Sequence, residues 1–333
     1  MDSTSEQIGA AISRKVSRWA RLVGGAAILA VLVERLGAGP FLDGFRMTSA
    51  GSLAAALGIT VLTTACCAWR WRLVAVRLGV DLPVGTAFSA YYRSQFLNAT
   101  LPGGVLGDVH RAVRHGRDVG DLGGSLRSVA WERSLGQAVQ TALTVIVLLL
   151  MPSPLRSQGA AVGAAAMVLG LGAVLAWSAR PRGAHGLPAR VGRAVTADLR
   201  KLLLVRRAWL GIVIASGLAA AGHVLVFLIA ARTSGVDTSA ARLLPLALVV
   251  LLASAIPMNI AGWGPREATA AWAFHATGLT ADQGVTVAVV YGVMALVATL
   301  PGALVLLLRR RDVRAPAVPG PTAGQRLEGA TYG

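Results

Sequence analysis

Six apolar stretches, each about twenty residues long, limit what this chain can become. They fall at about 17–38, 50–69, 128–150, 159–178, 208–231 and 284–308. A helix rises 1.5 Å per residue, so each run is long enough to cross a hydrocarbon core about 30 Å thick. Composition agrees. Hydrophobic residues make up 55% of the 333 and charged residues 14%, against roughly 25% charged in a soluble domain. The mean hydropathy is +0.62. The expected fold is an all-α polytopic membrane protein. No soluble segment is long enough for an ordinary catalytic domain.

Two further apolar runs are interrupted. One covers about 83–100, breaks at LPGG (101–104) and resumes to about 116; the other covers about 243–260, breaks at AGWG (261–264) and resumes to about 277. The short second arms fall below a full crossing, so each run is read as a re-entrant hairpin. Six spans plus two hairpins make eight hydrophobic units. Residues 17–150 and 159–308 then share one order (span, span, hairpin, span), entered from opposite sides. That is an inverted repeat, a plan in which broken helices meet at a site near the bilayer midplane. Residues 1–16 form a cytoplasmic N-terminal segment. Residues 179–207 form a basic cytoplasmic loop with an amphipathic helix near 189–204. Residues 311–333, rich in Pro, Gly and Ala, are expected to be a disordered cytoplasmic tail.

Net charge is +17. In a soluble protein this would point to nucleic acid. Here the basic residues crowd short loops on one face, among them Arg14, Arg70, Arg114, Arg193 and Arg310. The positive-inside rule accounts for that distribution and places both termini in the cytoplasm, with no nucleic-acid partner. Arg14 to Arg21 precede an apolar run as in a signal peptide, but Glu34 and Arg35 interrupt that run, which is read as a retained first span. Cys66 and Cys67 lie inside another apolar run and are read as small buried side chains. No metal or disulfide spacing is present, and no cofactor is expected.

Charges inside membrane segments each cost about 2.5–3.5 kcal/mol at a helix centre on insertion scales, so they are the candidate site residues. In LPGGVLGDVHR, Gly103 and Gly104 permit a tight reversal. The short arm's N-terminus is then suited to an anion, and Asp108 and Arg111 share one face. In AGWGPREA, Gly264 precedes Pro265 at the first helical position, followed by Arg266 and Glu267. Glu267 suits the helix dipole; Arg266 opposes it and needs an anionic ligand or a carboxylate, Asp108 or Glu132 in the plainer reading. Glu132 and Arg133 are adjacent, about 100° apart on one helix, so they serve different partners. Glu132 is read as holding a basic residue of a hairpin, and Arg133 as lining the site or reaching the inner interface. Arg93, Gln95, Asn98 and Asn259 are secondary candidates; the last three flank the breaks and suit freed backbone groups. His223, alone in an apolar span, reads more simply as an interhelical hydrogen bond than as a proton relay.

The run from Pro102 to Arg111, the pattern of Glu132, Arg133 and Gly136, and GWGPREA together resemble the lysylphosphatidylglycerol synthase transmembrane-region family. The resemblance covers about residues 20–310. Leu106-Gly107 stands where the family usually has two glycines before the aspartate. The resemblance implies a multi-pass protein of the bacterial plasma membrane that binds or moves an anionic or aminoacylated lipid. In two-part members a soluble aminoacyl-transferase domain follows. This chain ends at Gly333 without room for one, so synthase activity is not expected.

The leading expectation is a lipid translocase. Arg111 and Arg266 would bind a phospholipid or polyprenyl-phosphate headgroup, so that alanine at either position abolishes transport without unfolding the protein. One alternative is an integral-membrane glycosyl- or phosphotransferase. Another is a non-transporting membrane partner of a lipid or glycan biosynthesis enzyme. Lipid identity, direction, energy coupling and oligomeric state are not encoded in any motif.

Overall fold

In a computed structural model the chain is described over residues 48–101, 104–151, 153–155, 196–202, 206–256 and 264–308, with a few isolated positions before residue 48. Besides a helical stretch at 196–202, eight helices run through the described residues, with no strand among them. They are α1 (Ala50–Arg77), α2 (Val84–Thr100), α3 (Leu106–Val119), α4 (Leu122–Leu150), α5 (Arg206–Thr233), α6 (Ala240–Ala253), α7 (Pro265–Ala276) and α8 (Ala281–Leu308). The helices α1, α4, α5 and α8 are long and apolar enough to cross a membrane. The expected spans at 17–38 and 159–178, the tail after 310 and most of the 179–207 loop lie outside the described residues.

Short polar signals set the helix ends. Ser49 and Ser52 cap α1 reciprocally, each backbone N–H donating to the other's hydroxyl. Asp121 caps α4 by accepting from the Gly124 N–H at 2.8 Å. Thr280 and Gln283 form the same reciprocal box before α8. Gly120, at φ 74°, closes α3 in the left-handed conformation.

Long helix, broken pair, long helix is the order in both halves: α1, α2–α3, α4, then α5, α6–α7, α8. The members of each broken pair pack against each other. The halves interlock, with α1 against α5 and α8 against α2. Three boundaries differ from the sequence reading by six residues or more, one being the start of α4 at Leu122 instead of 128. Helix α1 continues to Arg77, which places Arg70 inside the bundle instead of in a loop. Helix α6 stops at Ala253, short of the expected 260. Pro257 accounts for the early stop, because proline has no N–H for the Ala253 carbonyl four residues back and its ring clashes with that carbonyl in a helix.

Small side chains let these helices approach closely, as they do where dispersion drives association in membranes. A Cβ on Gly107 would collide with the Ser94 carbonyl oxygen of α2. The cores alternate Ala, Val and Leu with a few large anchors, among them Trp71, Phe227 and Phe274. The helical stretch 196–202 docks on the start of α4. Asp198 accepts from Arg127 Nε at 3.1 Å and from Trp131 Nε1 at 3.2 Å, and Leu202 is buried beside Val74 and Ile212.

Candidate functional site

Five charged side chains from three elements join into one chain of alternating sign. Glu132 on α4 is completely buried and accepts from two arginines: Arg70 of α1 on Oε1 and Arg111 of α3 on Oε2. Tyr91 of α2 adds a donor to Oε1 at 3.2 Å. Arg111 Nε donates to Asp108 Oδ1 at 2.9 Å, and Asp108 Oδ2 in turn meets Arg133 Nη2 at 2.9 Å. Ser94 and Asn98 complete the shell of Asp108, each at 3.0 Å. Three cations thus share two carboxylates, and the cluster carries an excess of one positive charge.

The guanidinium groups are placed by what surrounds them. Arg111, 0% exposed, lies between the rings of Trp71 and Tyr91, 4.5 and 4.4 Å from their centroids. Such stacking contributes about 0.5–2 kcal/mol per ring. Arg70 lies against Gly136, where a Cβ would come within 2.7 Å of its guanidinium carbon. Its Nη1 donates to Ser216 on α5 at 3.0 Å.

The second broken pair has its own ion pair. Arg266 donates through Nε and Nη2 to Glu267 Oε1, at 2.8 and 2.6 Å, and its guanidinium stands 5.4 Å from the Tyr291 ring centroid. Glu267 Oε2 accepts the Gly264 N–H at 2.6 Å. Gly264 has φ 128°, a conformation that favours glycine. Both residues of the pair are buried. The carboxylate that meets Arg266 is therefore its own neighbour, not Asp108 or Glu132.

A cavity of about 260 Å³ lies between the two halves. Gly104 and Val105 of the first break form one wall, and Ser254–Ile256, where the chain approaches the second break, form another. Gln95 and Asn98 of α2, Arg133 of α4, His223 of α5, and Tyr291 and Thr299 of α8 close it. Arg133 is the cation on this wall, its side chain 47% exposed. Arg111 and Arg266 do not line it.

The remaining sequence candidates fall as follows. Asn98 Oδ1 accepts the Gly107 N–H at 2.7 Å, satisfying a freed donor at the start of α3. Gln95 accepts from Thr64 at 2.8 Å. Arg93 is buried on α2. Gly103 and Asn259 lie outside the described residues. Both short arms begin against carboxylates of the chain itself, Asp108 and Glu267, because a first-turn carboxylate satisfies the positive helix end as an anion would. Sequence reading missed Arg70, Tyr91, Trp71, Ser94 and Ser216. Arg70 belongs to WRWR, which looks like the basic edge of a span, and nothing local marks it as buried.

A helical multi-pass membrane protein with a cavity between its two halves is the class that this fold and site define. The family described as Lysylphosphatidylglycerol synthase TM region matches residues 15–302. The chain belongs to that family, and the match covers its membrane region. Comparisons with curated proteins and with solved structures gave no match.

Proposed function

We propose that this protein is a lipid translocase of the bacterial plasma membrane, and that the cavity between the two broken pairs takes the phosphate of an anionic lipid headgroup. One observation carries the reading: Arg133 reaches the cavity wall while Arg70 and Arg111 are buried against carboxylates. Among the described residues, Arg133 contacts Asp108 and the Gly104 carbonyl, both through Nη2. Nε and Nη1 then remain for phosphate, which a planar guanidinium recognises well. Asp108, Arg111, Glu132 and Arg70 act behind it, fixing the position of Arg133 through the Asp108 carboxylate. The ion pair of Arg266 and Glu267 fixes the start of α7 beside Tyr291 of α8. Gly104, Val105 and Ser254–Ile256 place non-helical backbone beside the cavity, where it is tolerated within a membrane. Alternating access of that cavity to the two leaflets would move the headgroup, as in transporters built from broken-helix repeats.

Native mass spectrometry of the purified protein tests the binding step. Wild type is expected to retain an anionic lipid above the background of bulk lipid, and Arg133→Ala to lose it. Arg111→Ala, in contrast, is expected to lower thermal stability, because it strips partners from two buried carboxylates at once. Bulk lipid alone in both wild type and Arg133→Ala would favour the non-transporting membrane partner instead.

A further inference from the structure

The cavity has a second ionisable donor. His223 sits mid-way along α5, in a span (Trp209–Thr233) with mean hydropathy 2.4, where an ionisable residue is costly without a function. It lines the same cavity as Arg133. No Asp or Glu lines that cavity among the described residues. The nearest carboxylates are committed: Glu132 to Arg70, Arg111 and Tyr91, and Asp108 to Arg111, Arg133, Ser94 and Asn98.

The elements packed on α5 are α1, α4, α6 and α8. The titratable and charged groups they turn toward His223 are Arg133 across the cavity, Tyr291 on α8 and, behind, Arg70, which reaches Ser216 of the same helix. Glu132 stands between Arg70 and Arg111 and is neutralised by them. Arg242 of α6 lies at its first turn, and Asp282 in the first turn of α8, away from the cavity lining. The electrostatic surroundings of the imidazole are therefore cationic or neutral. An imidazolium there has no carboxylate partner among the described residues. An anion held by Arg133 in the same cavity would supply a partner, because a nearby opposite charge favours the protonated ring.

We infer that His223 is the second anion-binding residue of this cavity and that it couples the binding of a phosphate monoanion to the uptake of one proton. The inference rests on the anion-site reading above. The step is balanced. The empty site holds neutral His223, and the loaded site holds imidazolium, the proton coming from solution along with the anion. Headgroup and proton then enter and leave together, so the loaded cavity gains no net charge.

Isothermal titration calorimetry on the full-length protein in nanodiscs tests this, with six-carbon-chain phosphatidylglycerol as the probe and two buffers of different ionisation enthalpy. Wild type is expected to take up a proton number approaching about one per bound lipid near neutral pH, with affinity falling up to about tenfold per pH unit above it. His223→Gln is expected to bind the probe more weakly, with no proton uptake and no pH slope. Wild-type binding without proton uptake overturns the coupling and leaves the anion site standing. Uptake that persists in His223→Gln also overturns it. No binding by wild type overturns the anion site itself, and the inference with it. Glycerol phosphate without acyl chains separates the sources of the anion: weaker binding supports a lipid, and equal binding overturns the lipid class.

Discussion

Glu132→Ala is expected to destabilise the protein by about 3–5 kcal/mol, the range measured when one partner is removed from a buried ion pair. The residue is 0% exposed and is the carboxylate that Arg70, Arg111 and Tyr91 share. Removing it leaves two buried guanidinium groups from different helices facing one another. Asp108 still serves Arg111, but Arg70 keeps only the Ser216 hydroxyl among its hydrogen bonds. Denaturant titration in detergent micelles, followed by far-ultraviolet circular dichroism, gives the measurement. Arg133→Ala is the internal control. Its half-exposed side chain is expected to cost within about 1 kcal/mol, as for exposed pairs. Equal, small losses for both variants would remove Glu132 from the centre of the cluster.

Gly107→Leu is expected to separate α2 from α3. A Cβ at this position would overlap the Ser94 backbone carbonyl and come within 2.8 Å of Asn98 Oδ1. A backbone oxygen cannot rotate aside as a long side chain can. The helices must part, and Asn98 then loses the Gly107 N–H it accepts. Ser94 and Asn98 also hold Asp108, so the position of Arg133 is lost along with the packing. Overpacking of this kind costs typically 1–3 kcal/mol and more against fixed backbone, so a loss of about 3 kcal/mol or more is expected. Gly217→Ala on α5 is the contrasting case. Nothing lies within 4 Å of its added Cβ, and helix propensity gives a gain of up to about 1 kcal/mol. Unfolding midpoints of the two variants in the same micelles check both statements.

Hydropathy and Gly/Pro breaks made the helix order legible, because both effects are local. A Pro-Gly-Gly interruption in an apolar run has the same meaning wherever the bundle places it. The ends of α1 and α6 were less legible. WRWRLVAVR has the composition of a loop edge, yet it stays helical because Trp71 and Arg70 are buried against α4 and α5. The charged candidates show a similar division. Adjacency alone implies that Glu132 and Arg133 point to different partners. It does not reveal which one turns toward the cavity, because that depends on the rotation of α4 against α3. The same holds for Arg111. Its place in a break, three residues after Asp108, marks it as a buried charge. Its seat between Trp71 and Tyr91 comes from residues 40 and 20 positions earlier in the chain.

The family resemblance rests on these same charged motifs, and the geometry assigns them distinct tasks. Asp108 and Glu132 organise arginines. Arg133 presents a guanidinium to the cavity, and His223 faces the same space from α5. The most direct measurement is lipid translocation by the purified protein in proteoliposomes, using fluorescently labelled phosphatidylglycerol and a membrane-impermeant quencher. Wild type is expected to carry inner-leaflet label outward, so that quenching exceeds the outer-leaflet share. Arg133→Gln, folded and inserted equally well, is expected to leave the inner-leaflet share protected. Equal translocation by both would contradict the cavity as the headgroup site, and no translocation by wild type would contradict the translocase reading.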